Sequence, residues 1–104
     1  MNYVERNRPL SNIRIFIADA EKHWPLEGLK KITVTRRIDG GKFEPGKISA
    51  VRDSGGGYYA FDADASDMDG ESITFRTVAE GADDSNITFF TGRKNGHLTT
   101  QDKD

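Results

Sequence analysis

Residues 71–80, ESITFRTVAE, decide the fold class. Ile73, Phe75, Thr77 and Ala79 fall on one face of an extended chain, and Thr74, Arg76 and Val78 fall on the other. That strict period of two is the pattern of a half-buried strand and not of a helix. A strand of this kind is marginal alone and needs neighbours to cover its apolar side.

The same alternation recurs on both sides of it. Ile13, Ile15 and Ile17 alternate with Arg14 and Phe16. Lys30 to Arg37 (KKITVTRR) turns Ile32 and Val34 inward, with Thr33 and Thr35 outward on β-branched side chains that suit a pleat. Lys47 to Arg52 (KISAVR) reads as a short strand, Tyr58 to Asp62 (YYAFD) as an aromatic-rich one, and Asn86 to Thr91 (NITFFT) as the last. Tyr58 and Tyr59 are adjacent and therefore face opposite sides, so at most one enters a core.

Breaks separate these runs. Asp19 to Gly28 (DAEKHWPLEG) contains Pro25 and is expected to be a crossing loop, with Trp24 and Leu26 tucked onto the core. Asp39-Gly40-Gly41 is a hairpin signal, because Asp and Gly tolerate positive φ. Pro45-Gly46, Asp53 to Gly57 (DSGGG) and Gly81 to Ser85 (GADDS) are further turns. Ala63 to Gly70 (ADASDMDG) is expected to be a solvated acidic turn, with one helical turn capped by Asp64 or Ser66. About seven short strands with turns roughly every eight to twelve residues predict an all-β fold: an antiparallel two-sheet β-sandwich of immunoglobulin or fibronectin type.

Composition fits that economy. The chain has 104 residues, of which 35 % are hydrophobic and 31 % charged. One small domain with so lean an apolar set must place it efficiently, and alternating faces do so. Residues 1–11 lack any period and contain Pro9, so they read as an N-terminal arm. Residues 12–92 are the sandwich, and 93–104 are a polar C-terminal tail. The net charge of −2 gives no basic field for nucleic acid, and no run approaches the ~20 apolar residues of a membrane span. No charged-then-apolar start reads as a signal peptide. With no cysteine, disulfides, thiolate metal sites and thiol catalysis are excluded. Residues 1–50 carry ten basic and six acidic side chains (+4), and 51–104 carry five and eleven (−6). Either copies self-associate head to tail, or the halves interleave in the fold and the asymmetry vanishes; the second is the simpler expectation.

Candidate chemistry is sparse. Asp62 to Glu71 (DADASDMDGE), perhaps joined by Asp83 and Asp84, invites calcium, which takes six to eight oxygens at ~2.3–2.6 Å. The EF-hand template fails there: counting from Asp62, Asp67 stands where glycine is needed and Ile73 where glutamate is needed. Gly55-Gly56-Gly57 is followed by tyrosines and no helix, so it reads as a hairpin tip and not a phosphate cradle. His23 and His97 are the only histidines and build no triad or metal pair. No catalytic residue, cofactor or metal is therefore expected, and the protein reads as a non-enzyme. Trp24, Tyr58, Tyr59, Phe61 and Phe75 are the candidates for a sugar-stacking platform.

From Leu26 to Thr91 the order of signals is distinctive: Arg37-Ile38-Asp39-Gly40-Gly41-Lys42-Phe43, Gly46-Lys47-Ile48, Gly56-Gly57-Tyr58-Tyr59, Ala65-Ser66-Asp67-Met68-Asp69-Gly70, and Arg76-Thr77-Val78-Ala79-Glu80-Gly81-Ala82-Asp83. This order resembles a small immunoglobulin-like β-sandwich domain of tailed-bacteriophage virion structural proteins. The resemblance implies a non-enzymatic role on the particle, as capsid decoration or at the tail, collar or fibre base. The protein would be made in the host cytoplasm and held in the virion, docked on many copies of a phage head or tail structural protein. The matching positions are turns and core, so contact residues come from outside them. Tyr3, Arg6 and Arg8 in the arm, Trp24 in the crossing loop, and Arg93 and Lys94 at the start of the tail are the candidates. The alternative is a carbohydrate- or host-surface-binding module at a tail or fibre tip.

Overall fold

The inward residues of the alternating runs bury themselves only against one another, and they do so between two layers. A computed structural model describes residues 3–91. Its strands are β1 (Tyr3–Val4), β2 (Leu10–Phe16), β3 (Thr33–Ile38), β4 (Arg52–Gly55), β5 (Tyr58–Ala63), β6 (Ser72–Val78) and β7 (Ser85–Thr91). One sheet has the order β2-β5-β4 and the other β1-β7-β6-β3. All neighbours are antiparallel except β1 and β7. Lettered in chain order, these are B-E-D and A-G-F-C. That is the immunoglobulin arrangement, with the first strand moved from the edge of B to the edge of G.

The core lies where the sequence put it. Ile13 and Ile15 of β2, Ile17 just beyond it, and Tyr59, Phe61 and Ala63 of β5 pack on Ile73 and Phe75 of β6. Phe75 links the layers: its ring meets Phe61 edge-on at 5.4 Å and Phe89 of β7 at 6.0 Å. Edge-to-face aromatic pairs add about 0.5–1.5 kcal/mol beyond the area they bury.

Three elements differ from expectation. The strand expected over Lys47 to Arg52 begins only at Arg52. The Lys47 amide is drawn to Asp67 and the Ser49 amide to the Asp62 carbonyl, so this stretch crosses the sandwich edge while Ile48 and Val51 lean on the core. Residues 1–11 also contain an element, because Tyr3 and Val4 pair with Phe90 and Thr91, and Leu10 opens β2. Thirdly, the acidic stretch forms the expected helical turn capped by Asp64, with Asp64, Ser66 and Asp69 exposed, but it buries Asp67 and Met68.

Ala65–Met68 form a 3-10 helix whose N-cap is Asp64, with the Ser66 amide donating to the Asp64 carboxylate at 3.0 Å. Asp67 and Met68 at its end are 0 % exposed. The Asp67 carboxylate accepts the Asp64 amide at 3.1 Å, the Lys47 amide at 3.1 Å and Arg36 Nε at 3.0 Å. Arg36 lies on the inward face of β3, opposite Phe75, and its side chain is only 15 % exposed. Gly46 (φ +59) sits so close to this carboxylate that any β-carbon would overlap it. Both the backbone angle and the space therefore require glycine.

Loops from both halves of the chain meet at each end. Residues 5–9, 39–51 and 64–71 share one end, where the Asn7 amide donates to the Met68 carbonyl at 2.8 Å. Residues 17–32, 56–57 and 79–84 share the other. The charge asymmetry of the sequence is therefore not two poles of the molecule.

Replacing Asp67 by alanine leaves Arg36 only the exposed Glu44 as a partner and strips the Lys47 and Asp64 amides of their acceptor, and is expected to cost about 3 kcal/mol in urea unfolding. Asp67→Leu is expected to do no better, because leucine cannot accept the Lys47 and Asp64 amides. Met68→Leu, equally buried but volume-conserving, is expected to lose less than about 1.5 kcal/mol.

Candidate interaction surface

At the end opposite Asp67, three loops are tied into one surface. Between β2 and β3, the Asp19 carboxylate accepts the Glu21 and Lys22 amides at 2.9 and 2.8 Å, closing a tight Asx turn. The Asp19 amide donates to the Trp24 carbonyl at 2.9 Å, and His23 takes φ +62. This loop is bound to residues 79–84: the Ala20 amide donates to Gly81 O at 3.0 Å and the Asp83 amide to Ala18 O at 2.9 Å. His23 Nδ1 lies 3.1 Å from Asp83 Oδ2. The hairpin tip between β4 and β5 completes the end, where the Ile17 amide donates to Gly57 O at 2.8 Å. A β-carbon on Gly57 (φ +89) would stand 2.7 Å from Pro25 Cβ and 2.9 Å from Phe16 Cε1. The glycine thus lets Pro25 and Phe16 close over it.

The rest of the long loop is latched to the core. Tyr59 is 1 % exposed, and its hydroxyl donates to Leu26 O at 2.7 Å while accepting the Leu29 amide at 3.1 Å. Asp53 accepts the Gly55 and Gly28 amides, each at 2.8 Å. Those two amides hold its carboxyl below the ordinary aspartate value of 3.8.

On this base Trp24 stands 55 % exposed, Tyr58 49 % and Phe16 38 %. Leu26 is on the core as expected, but Trp24 is not. Pro25 packs against Gly57 while itself staying exposed, and Trp24 before it faces water. Phe16 and Tyr58 are cross-strand partners on the outer face of the β2-β5-β4 sheet, with rings 5.1 Å apart and tilted by 56°. The Lys22 ammonium lies over the Trp24 ring at 5.0 Å. Behind the pair on the same face, Arg14 and Arg52 flank Ala60. Arg52 pairs with Asp62, whereas Arg14 has no ion pair among the described residues. Exposed Trp, Tyr, Phe and Arg are the residue types that dominate protein interfaces.

The structure separates the sequence candidates. Only Trp24 belongs to this surface. Arg6 and Arg8 lie at the Asp67 end, where Arg6 pairs with Asp69 at 3.2 Å and Arg8 with Glu5 at 3.4 Å. Tyr3 contributes its backbone to the β1–β7 pairing. Arg93, Lys94 and His97 lie outside the described residues. Of the five rings considered for stacking, Tyr59, Phe61 and Phe75 are buried in the core, leaving Trp24 and Tyr58. Phe16 was the missed partner. Its signal was a large apolar side chain on the polar face of the 12–17 run.

The acidic stretch spends its carboxylates on separate local donors. Asp62 accepts the Asn12 amide at 2.8 Å and pairs with Arg52, Asp64 accepts Ser66, and Asp69 accepts Arg6. Among the described residues, no three His, Cys, Asp or Glu side chains group to hold a metal ion. The Asn12 amide, then Arg52, holds the Asp62 carboxyl below its usual value, and the Ser66 amide and hydroxyl do the same for Asp64. No protein-family model, curated protein or solved structure matches the chain.

Three depressed carboxyls fix the sign of the acid response. A group whose folded pKa is lowered contributes stability above its unfolded value and loses it as pH falls through the folded one. Urea midpoints are expected to be level from neutral pH to about 5 and to fall below about 4. The fall is expected to be shallower in Asp53→Asn and Asp62→Asn, read as midpoint against pH.

Proposed function

We propose that the protein is a non-enzymatic structural component of a tailed-phage particle, a small sandwich docking on repeated copies of a head or tail protein. The observation that carries the docking part is the asymmetry of the two ends. The Asp67 end spends its buried carboxylate on internal donors, whereas the other end keeps three large rings exposed, Trp24 on a pinned loop and Phe16 and Tyr58 at the ends of β2 and β5. Soluble domains seldom hold such rings exposed together without a partner, and loops on a stiff frame are the usual place for recognition. Low affinity per copy is enough on a repeated lattice, where avidity multiplies it. The virion part is supported by the ordered turn motifs from Arg37 to Asp83. Those motifs occupy turn and core positions and leave the exposed rings free for contact.

A second reading, a host-surface carbohydrate module, is favoured by the exposure of both Trp24 and Tyr58. The tilt between Tyr58 and Phe16 weighs against it, because a flat sugar face stacks best on coplanar rings.

Particles purified from infected cells are expected to carry the chain at a fixed copy number per particle, measured by quantitative mass spectrometry. Trp24→Ala/Tyr58→Ala is expected to fold with an unchanged urea midpoint, within about 0.5 kcal/mol for exposed sites, yet to be lost from particles. Absence of the wild-type chain from particles, together with binding on a glycan array, would replace this reading by the second.

A further inference from the structure

The loops around Trp24 carry an excess of acids, whereas Arg14 and Arg52 lie behind the Phe16–Tyr58 pair. The bond from the Ala20 amide to Gly81 O brings Glu21 and Glu80 to either side of the contact between their loops. Both are exposed, and neither has an ion pair among the described residues. Residues 17–32, 56–57 and 79–84 hold Asp19, Glu21, Glu27, Glu80, Asp83 and Asp84 against Lys22, Lys30 and Lys31, six acids less three bases, or −3 with His23 neutral, and Asp84 is paired with Arg76 of β6. Of these bases Lys22 is the group lying over the Trp24 ring. The ring face is thus already a place where a cation settles, held by the ring quadrupole within an acidic surround.

We propose that this end docks an arginine- or lysine-bearing segment of a partner protein. The partner's cationic side chain displaces Lys22 from the Trp24 face, and Glu21 and Glu80 neutralise it. The inference rests on the reading of the domain as a docking module and names the chemistry of what it docks on. A guanidinium suits the place best, because it is weakly hydrated and stacks flat on aromatic rings. A second copy of this chain fits poorly, since an isologous pair would bring two acidic ends face to face. A sugar fits poorly because Phe16 and Tyr58 are tilted by 56°.

Trp24 is the only tryptophan, so intrinsic fluorescence reports this end alone. Titration with a hexa-arginine peptide is expected to change it saturably, and more weakly as salt rises. Glu21→Gln and Glu80→Gln are each expected to raise Kd by up to about fivefold. Lys22→Ala is expected to lower Kd, and Glu71→Gln at the opposite end to leave it unchanged. The proposal is overturned if hexa-glutamate binds as well, or if the Glu21→Gln/Glu80→Gln double variant binds like wild type. It is also overturned by a fluorescence change that follows protein concentration alone, which would assign the surface to a second copy, or one produced only by neutral oligosaccharides, which would assign it to a sugar. Particle occupancy separates the two levels. Wild-type chain on particles without hexa-arginine binding removes this inference and leaves the docking reading standing. Hexa-arginine binding by a chain absent from particles does the reverse.

Discussion

A carboxylate taken wholly out of water must find donors for its oxygens, and Asp67 finds three N–H groups from three parts of the chain: its own 3-10 turn, the 39–51 crossing and strand β3. That requirement organises one end of the sandwich. It aims Arg36 inward from an edge strand, leaves Gly46 no room for a side chain, and bends residues 47–51 away from the strand they would otherwise form. A buried ion pair by itself is weak ground for claiming net stability, because desolvation offsets much of the attraction. Here two of the three donors are backbone amides that would be orphaned by any apolar replacement. The choice of aspartate is thus local necessity more than electrostatic gain.

With one end closed in this way, the sandwich becomes a rigid mount for the other. Phe75 couples the sheets through Phe61 and Phe89, and the Tyr59 hydroxyl and Asp53 carboxylate fasten the long loop at Leu26, Gly28 and Leu29. Trp24 is therefore exposed on a fixed base, so little ordering entropy is lost when a partner covers it. The scaffold's stiffness and the surface's exposure are two consequences of one division of labour.

Much of the fold was legible because β structure writes itself as a period of two. The inward sets at 13–17, 58–62 and 71–80 identified β2, β5 and β6 and most of the core, including that at most one of Tyr58 and Tyr59 could be buried. What escaped were residues whose role is set by distant partners. Nothing near Asp67 distinguishes it from Asp62, Asp64 or Asp69; only Arg36 and Lys47, 31 and 20 positions away, make it the buried one. Trp24 looked like core because it is large and apolar, but the loop seats Leu26 on the core and leaves Trp24 and Pro25 exposed. Phe16 announced itself by breaking the polar face of its strand. The short β1 was invisible because parallel pairing of two residues leaves no pattern.

Native-state hydrogen exchange tests the central division most directly. The Lys47 and Asp64 amides, both bonded to buried Asp67, are expected to exchange only through global unfolding. The Glu21 and Lys22 amides, bonded to Asp19 in the exposed loop, are expected to exchange by local opening, with much lower protection. Lys47 and Asp64 amides that exchange as fast as those of Glu21 and Lys22 would show that the Asp67 end is not the closed anchor of the sandwich.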